Sequence, residues 1–462
     1  MTPDYTAYVA RKLSRVPPTG IASGFSVPGS LFPHQIALTS WAIRRGRAAI
    51  FADTGLGKSR MQIAWADAVR CHTDRPVLIL APLAVAPQTV VEGSGLGVNI
   101  LHCREQAEVG PGINITNYDR LHKFDASQFG GVVLDESSCI KHHDTRTLKT
   151  LLEAFEQTPF KLCATATPAP NDWTELGTHA EFLGICTRQE MLAEFFTHDG
   201  GDTSVWRLKG HARHIFWQWV STWGAMVRKP SDLGFDDSAY NLPPLHLHEH
   251  TVKTEMPLNG MLFATEAQTL SERRDARRMS IEDRVKDCAA IVNADSEPWV
   301  VWCDLNAEGD ALTAAIDGAV QIAGADPVEV KEQRLADFAA GKFRVLVSKP
   351  SICGFGLNWQ HAARMAFVGV TDSFESYYQA VRRCWRFGQK RDVHVHIFAS
   401  SAEGAVVANL KRKERDATAM AESLSAETRD AVMAEVTGLT RETNTYNAGQ
   451  RVTVPAFLKE AA

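Results

Sequence analysis

Short runs of Val, Ile, Leu and Ala alternate along the chain with longer stretches whose apolar residues recur at helical spacing. That alternation predicts parallel sheets with crossover helices. Strands are expected at Ala48–Ala52, Val77–Ala81, Asn114–Thr116, Gly131–Leu134 and Lys161–Thr165, and in a second series at Trp299–Cys303, Val345–Ser348, Met365–Val370 and Val393–Phe398. Two series imply two α/β domains. Between them, residues 173–295 lose the strand rhythm and read as helical, first Trp-rich (Trp206, Trp217, Trp219, Trp223) and then charged, as in SERRDARR at 271–278. Pro243 and Pro244 mark where the chain leaves the first domain. The expected organisation is an arm over 1–30, a first domain over 31–242 with a helical Trp-rich insertion from about 173, a second domain over 243–437 that begins in helix and ends in helices bracing it, and a tail over 438–462.

Composition narrows the class. Hydrophobic residues at 45% and charged residues at 22% belong to a globular chain, and 462 residues suit two or more packed units. With 49 basic against 54 acidic residues the net charge is −5, so any nucleic-acid site has to be a local groove rather than a bulk positive surface. Nine scattered cysteines with no CxxC pair read as reduced thiols of a cytosol-like compartment. No signal-peptide pattern and no run of 18 apolar residues occurs. The expectation is a cytoplasmic monomer with no membrane partner.

ADTGLGKSR at 52–60 follows an apolar run and precedes the helical pattern MQIAWADAV. Strand, glycine-rich turn and helix come in the order a phosphate cradle requires, with backbone N–H groups and the helix N-terminus aimed at the anion. Lys58 would reach the β/γ-phosphates and the Ser59 hydroxyl would sit on Mg²⁺; Thr54, Gly55, Gly57 and Arg60 complete the expected nucleotide contacts. Ala52 stands where the general pattern has its first glycine. GVVLDESSCIK at 131–141 ends a strand in two adjacent carboxylates. Asp135 could hold the Mg²⁺ and Glu136 could orient and deprotonate an attacking water, although strand-end acids also serve simply as helix caps.

Taken in order, further segments resemble the motifs of superfamily-2 helicases. ADTGLGKS and DESS are similar to their first and second motifs, CATATPAPND at 163–172 to the third, VSKPSICGFGLNWQHA at 347–362 to the fifth and YYQAVRRCWRFGQKR at 377–391 to the sixth, whose Gly-Gln ending is that of Swi/Snf-type members. Looser likenesses are LFPHQ at 31–35, the adenine-reading segment with Gln35, and APLAV, ITNYDRL and VVWCDLN, which resemble motifs Ia, Ib and IV. The resemblance spans about 31–425 and implies two RecA-like P-loop domains with parallel sheets facing each other across ATP and Mg²⁺. It further implies arginine fingers, assigned to Arg383 and Arg386 three apart on an expected helix, with Gln379 on the same face as a nucleotide or interdomain contact. Thr165 and Thr167 take the coupling role of the third motif. Phosphate contacts to nucleic acid carry over to Pro82, Leu83, Asn117, Tyr118, Ser348, Lys349 and Gly354. Three positions depart from the Swi/Snf pattern: Arg382 replaces an acid and Trp385 a histidine in the sixth motif, and Ala166 replaces a glycine in the third, as in other superfamily-2 branches. Arg382 is expected to extend a phosphate-tracking surface and Trp385 to pack against the neighbouring domain.

Weaker signals keep two readings each. HLHEH at 246–250 is a strand or linker, or a metal site; His394 and His396 alternate likewise. His142 and His143 belong to a polar loop, or touch the cleft or a DNA backbone. The Trp cluster is core, or a base-stacking surface. No nuclease constellation is present, so such an activity would come from a partner. The leading expectation is an ATP-dependent DNA translocase or helicase, favouring double-stranded DNA, of the compact kind that viruses and mobile elements carry. The alternatives are a nucleotide-gated binding module without turnover, and an RNA helicase.

Overall fold

The computed structural model describes residues 17–82, 85–169, 172–199, 202–252, 277–353, 358–369 and 374–401, with residues 412, 415, 428–430 and 432–437. Leu83, Gly354 and most of 402–462, for which the sequence sets expectations, lie outside these residues.

Two parallel sheets carry the chain, as expected of two RecA-like α/β domains. The first contains β1 (Arg47–Ala52), β2 (Val77–Ala81), β3 (Ile100–His102), β4 (Ile113–Asn117), β5 (Gly131–Asp135), β6 (Phe160–Thr165) and, after an antiparallel hairpin of β7 (Phe196–Asp199) and β8 (Asp202–Leu208), β9 (Gly224–Val227). Its spatial order is β3-β4-β2-β5-β6-β1-β9, and every neighbouring pair is parallel. The second contains β10 (Leu245–Val252), β11 (Trp299–Trp302), β12 (Ala319–Ile322), β13 (Val345–Ser348), β14 (Arg364–Phe367) and β15 (Val393–Ser400), in the order β10-β15-β14-β11-β13-β12 and again all parallel.

Central strands such as VLILA, WVVW and VLVS are buried along their whole length, because helices cover both faces of each sheet. One face of the first sheet packs with Trp41, Met61, Ile63 and Trp65, the other with Phe155, Phe182, Phe216, Trp217 and Trp223. Trp302, Phe338 and Trp359 fill one side of the second sheet, and Val292, Trp299 and Leu312 the other.

The expected helical stretch differs from the fold: 173–242 also holds the β7–β8 hairpin and β9, an edge strand of the main sheet, and the second domain begins in strand β10 rather than in helix. Its tryptophans are packing residues, with Trp217 and Trp223 fully buried and Trp206 and Trp219 half-buried against the same core. A second difference concerns the C-terminal helix. Val432 and Val436 are buried in the core of the first domain, Arg45 pairs with Glu435, and Arg429 donates to the Ser231 carbonyl at 3.0 Å. This part of the chain braces the first domain, not the second.

Among the described residues, no helix is long and apolar enough to cross a membrane, and no group of three or more His, Cys, Asp or Glu side chains is arranged to hold a metal. HLHEH is instead β10, paired in register with β15 so that His246 faces His394 and His248 faces His396.

Candidate nucleotide site between the two sheets

The carboxyl ends of β1, β5 and β6 open onto one cleft, the place where open α/β sheets present their loops to ligands. After β1 the chain turns through Gly55 and Gly57, both with positive φ (90° and 82°), into the helix Lys58–Thr73. Glycine is required there for a second reason: a Cβ on Gly57 would lie 2.2 Å from Gln35 Nε2, and one on Gly55 would lie 3.1 Å from the Phe387 nitrogen. Gln35 closes the turn from behind, donating to the Leu56 carbonyl at 3.0 Å while its Oε1 accepts from Phe32 N at 3.1 Å.

Lys58 donates to the Ala52 and Asp53 carbonyls at 2.9 and 3.3 Å. Burial pulls its ammonium below the usual lysine range, while Glu136, Asp53 and Asp135 support the charge. Gln62, one turn along the same helix, donates to Asp135 Oδ1 at 2.6 Å. Burial, and then the neighbouring Glu136, push the Asp135 carboxyl well above the usual carboxylate range. Glu136 adopts φ 51°, left-handed backbone that a non-glycine residue rarely takes. The Thr165 hydroxyl faces its Oε2 at 3.5 Å and accepts from Thr167 N at 3.1 Å, so the ends of β5 and β6 are linked at the carboxylate.

The second domain closes the cleft with Asn358, Gln360, Arg383, Arg386 and Phe387. The helix Phe374–Val381 ends before the arginines, so Arg383 and Arg386 stand on the turn that follows it rather than on the expected helix. Both still reach the cleft that Lys58, Ser59, Asp135 and Glu136 line. Burial, then repulsion from Arg386, lowers the Arg383 guanidinium to about 10, with Glu136 and Asp135 opposing the shift. Gln379 is buried behind Arg383 and holds it twice, its carbonyl and Oε1 accepting at 2.9 and 3.0 Å. It positions the arginine and does not line the cleft.

Gln88, Glu92 and Tyr240 line the cleft without having carried a sequence signal, whereas Phe32 and Phe387 fall inside the LFPHQ and sixth-motif segments. Gln88 and Glu92 come from the helix Ala86–Gly95, with Glu92 supporting the charge of Arg386. Phe32, Tyr240 and Phe387 form an aromatic group at one end, the last two 4.8 Å apart. These residues are brought together by three distant segments, and their spacing in sequence says nothing of it.

The expected nucleic-acid contacts are less uniform. Pro82 follows β2, and half-buried Lys349 follows β13. Asn117 caps the turn after β4 by accepting from Arg120 N at 3.1 Å. Tyr118 donates its hydroxyl to the Asp135 carbonyl at 2.6 Å, and buried Ser348 donates to the Ile322 carbonyl at 2.9 Å. The hydroxyls of Tyr118 and Ser348 are thus committed inside the domains rather than presented to a phosphate. His142 and His143 are exposed and do not line the cleft.

Residues 304–388 match the helicase conserved C-terminal domain. The chain is 21% identical over 452 residues to protein p41 of Acyrthosiphon pisum secondary endosymbiont phage 1, covering 83% of this chain and 96% of that protein. It is also 28% identical over 161 residues to the SWI/SNF-related matrix-associated actin-dependent regulator of chromatin subfamily A-like protein 1 of Xenopus laevis, covering 32% of this chain and 17% of that protein.

Proposed function

We propose that this chain, a superfamily-2 helicase-type protein resembling the Swi/Snf motors, hydrolyses ATP to ADP and phosphate and uses the cycle to move along double-stranded DNA. The observation that carries the reading is the meeting of Lys58, Ser59, Asp135 and Glu136 from one domain with Arg383 and Arg386 from the other in a single cleft.

The donor set suits a magnesium nucleotide: a serine hydroxyl and a carboxylate supply hard oxygens beside a helix N-terminus free of side-chain caps. Ser59 and Asp135 would hold the magnesium, which when bound neutralises charge developing on the β- and γ-phosphate oxygens. Gly55 and Gly57 let the backbone approach the phosphates closely, and Lys58 exchanges its carbonyl partners for phosphate oxygens. Glu136 orients the attacking water and takes its proton. Thr165 keeps that carboxylate in register with β6. Arg383 and Arg386 meet the charge that grows on the γ-phosphoryl group, so turnover requires both domains. Phosphate release would remove the anion that the arginines and Lys58 share, and the cleft would reopen. Thr167, Lys349 and the loops around Pro82 and Asn117 are the proposed route by which that motion reaches the DNA backbone.

Lys58→Ala and Arg383→Ala test these roles. Each is expected to lose about 10³-fold or more of DNA-stimulated phosphate release, the scale on which a single transition-state cation acts in phosphoryl transfer. Full activity in either variant would contradict the assignment.

A further inference from the structure

The two positions at which the sixth motif departs from the Swi/Snf pattern, Arg382 and Trp385, both reach outside the second sheet. Arg382 Nη2 lies 3.6 Å from Asp53 Oδ2, and Tyr378 donates its hydroxyl to Asp53 Oδ1 at 2.7 Å. The Arg382 guanidinium lies between two rings, 5.0 Å from the Tyr378 centroid and 4.6 Å from that of Trp385, which fixes its direction as well as its charge. Trp385 donates its indole N–H at 2.7 Å to the carbonyl of Pro243, in the segment that joins the two sheets.

Asp53 sits inside the phosphate loop. Its carbonyl accepts from Lys58, its N–H donates to the Val227 carbonyl at 2.9 Å, and its carboxylate takes the partners from the other domain. Burial acts to raise this carboxyl, but Arg382, the Tyr378 hydroxyl and the Thr54 N–H outweigh it and hold it below the usual range. The charge pattern gives the contact a direction. Lys58, Arg383 and Arg386 line one cleft, Arg382 repels Arg386 from beside it, and Asp53 supplies Arg382 with an anion from the opposite domain. An ion pair with this little exposure, 12% and 20% for the two side chains, is strongly disfavoured once one partner is removed.

We propose that Asp53, Tyr378 and Arg382 form an interdomain latch that sets the position of Arg383, the next residue, against the phosphate loop. Arg382 is a positioning residue, acting through its neighbour. Only the turnover arm of the test rests on the ATPase reading.

The full chain labelled with a donor and an acceptor dye at exposed Glu156 and Ala314, through encoded azide-bearing residues, reports the distance between the domains. In the nucleotide-free protein, Arg382→Asp sets two carboxylates face to face and is expected to lower energy transfer clearly. Asp53→Asn and Arg382→Gln are expected to lower it less, and the double variant no further than either single one, the signature of a shared contact. At saturating ATP and DNA, Arg382→Gln is expected to lose about ten-fold in kcat with less than about a three-fold change in KM for ATP, as misplacement of a transition-state group does. Unchanged energy transfer in Arg382→Asp, or additive losses in the double variant, would overturn the latch. A wild-type chain without turnover would sink the ATPase reading, and the fluorescence arm would still decide the latch.

Discussion

Glu136 is the residue at which fold and function pull in opposite directions. Its φ of 51° is a conformation that glycine takes freely and that costs a larger residue about 1–3 kcal/mol. The chain keeps an acid there, buried beside the second carboxylate of Asp135 and within reach of Thr165. A side chain held against its own backbone preference fits the general-base role proposed for it. Glu136→Gly is therefore expected to leave the melting temperature equal to or above that of the wild type while reducing phosphate release by at least about 10²-fold, the usual contribution of a general base. A thermal melt and a phosphate-release assay on the same preparation check both halves.

The edge pair β10–β15 shows what an element can add. Parallel register stacks His246, His394, His248, His396 and His250 into a ladder, with ring centroids 4.5 to 5.2 Å apart. His248 and His394 share a hydrogen bond at 2.9 Å, as do His250 and His396, and each bond needs one neutral ring as acceptor. Burial, then the neighbouring histidines, lowers His396 to about 4, and burial lowers His250 and His394 as well. Arg364 on β14 adds to the lowering at His394 and His396, while Asp392 and Asp287 oppose it at His394 and His250. Depressed folded values mean that the unfolded chain binds more protons, so this stability is complete above the ordinary histidine value of about 6.5 and is lost as pH falls from there toward about 4. The melting temperature is expected to drop over that window, and His248→Val with His396→Val to flatten the drop. An equal slope in both proteins would mean the ladder does not titrate with folding.

The same pair marks the limit of what could be read from sequence. The buried strands β1, β2, β5, β6, β11 and β13 announce themselves because parallel sheets covered on both faces need continuous apolar runs. The edge strands β3, β9, β10 and β12 do not: ILH, GAMV and AVQI are short, and HLHEHTV alternates polar residues because an edge is half solvated. The phosphate-loop and acidic-pair residues were legible because local backbone chemistry demands them. Asp53, Gln62, Gln88 and Glu92 were not, since their roles arise from packing between distant segments. Arg382 shows the same limit: it was expected to face a phosphate, and it faces Asp53.

At the scale of the whole molecule, the chain returns on itself. Its last described residues, 428–430 and 432–437, bury Val432 and Val436 in the core of the first domain, beside the Arg45–Glu435 pair. The first domain is thus completed by residues nearly 400 positions away from Arg45, a separation of 390 for that pair. Val432→Asp places an unpaired charge in that core, and is expected to lower the unfolding transition of the first domain by several degrees. Limited proteolysis should then release fragments from residues 31–242 earlier than in the wild type, while 277–401 keeps its protection. Equal protection of both would show that the return is dispensable.

Two domains line one cleft, and the proposed cycle couples nucleic acid to nucleotide through it. The most direct measurement of that central claim is steady-state phosphate release by the full chain with duplex DNA, single-stranded DNA and RNA in parallel at one salt concentration. Strong stimulation by duplex DNA, abolished by Lys58→Ala, is the expected result; stimulation by RNA alone, or turnover indifferent to every nucleic acid, would contradict it.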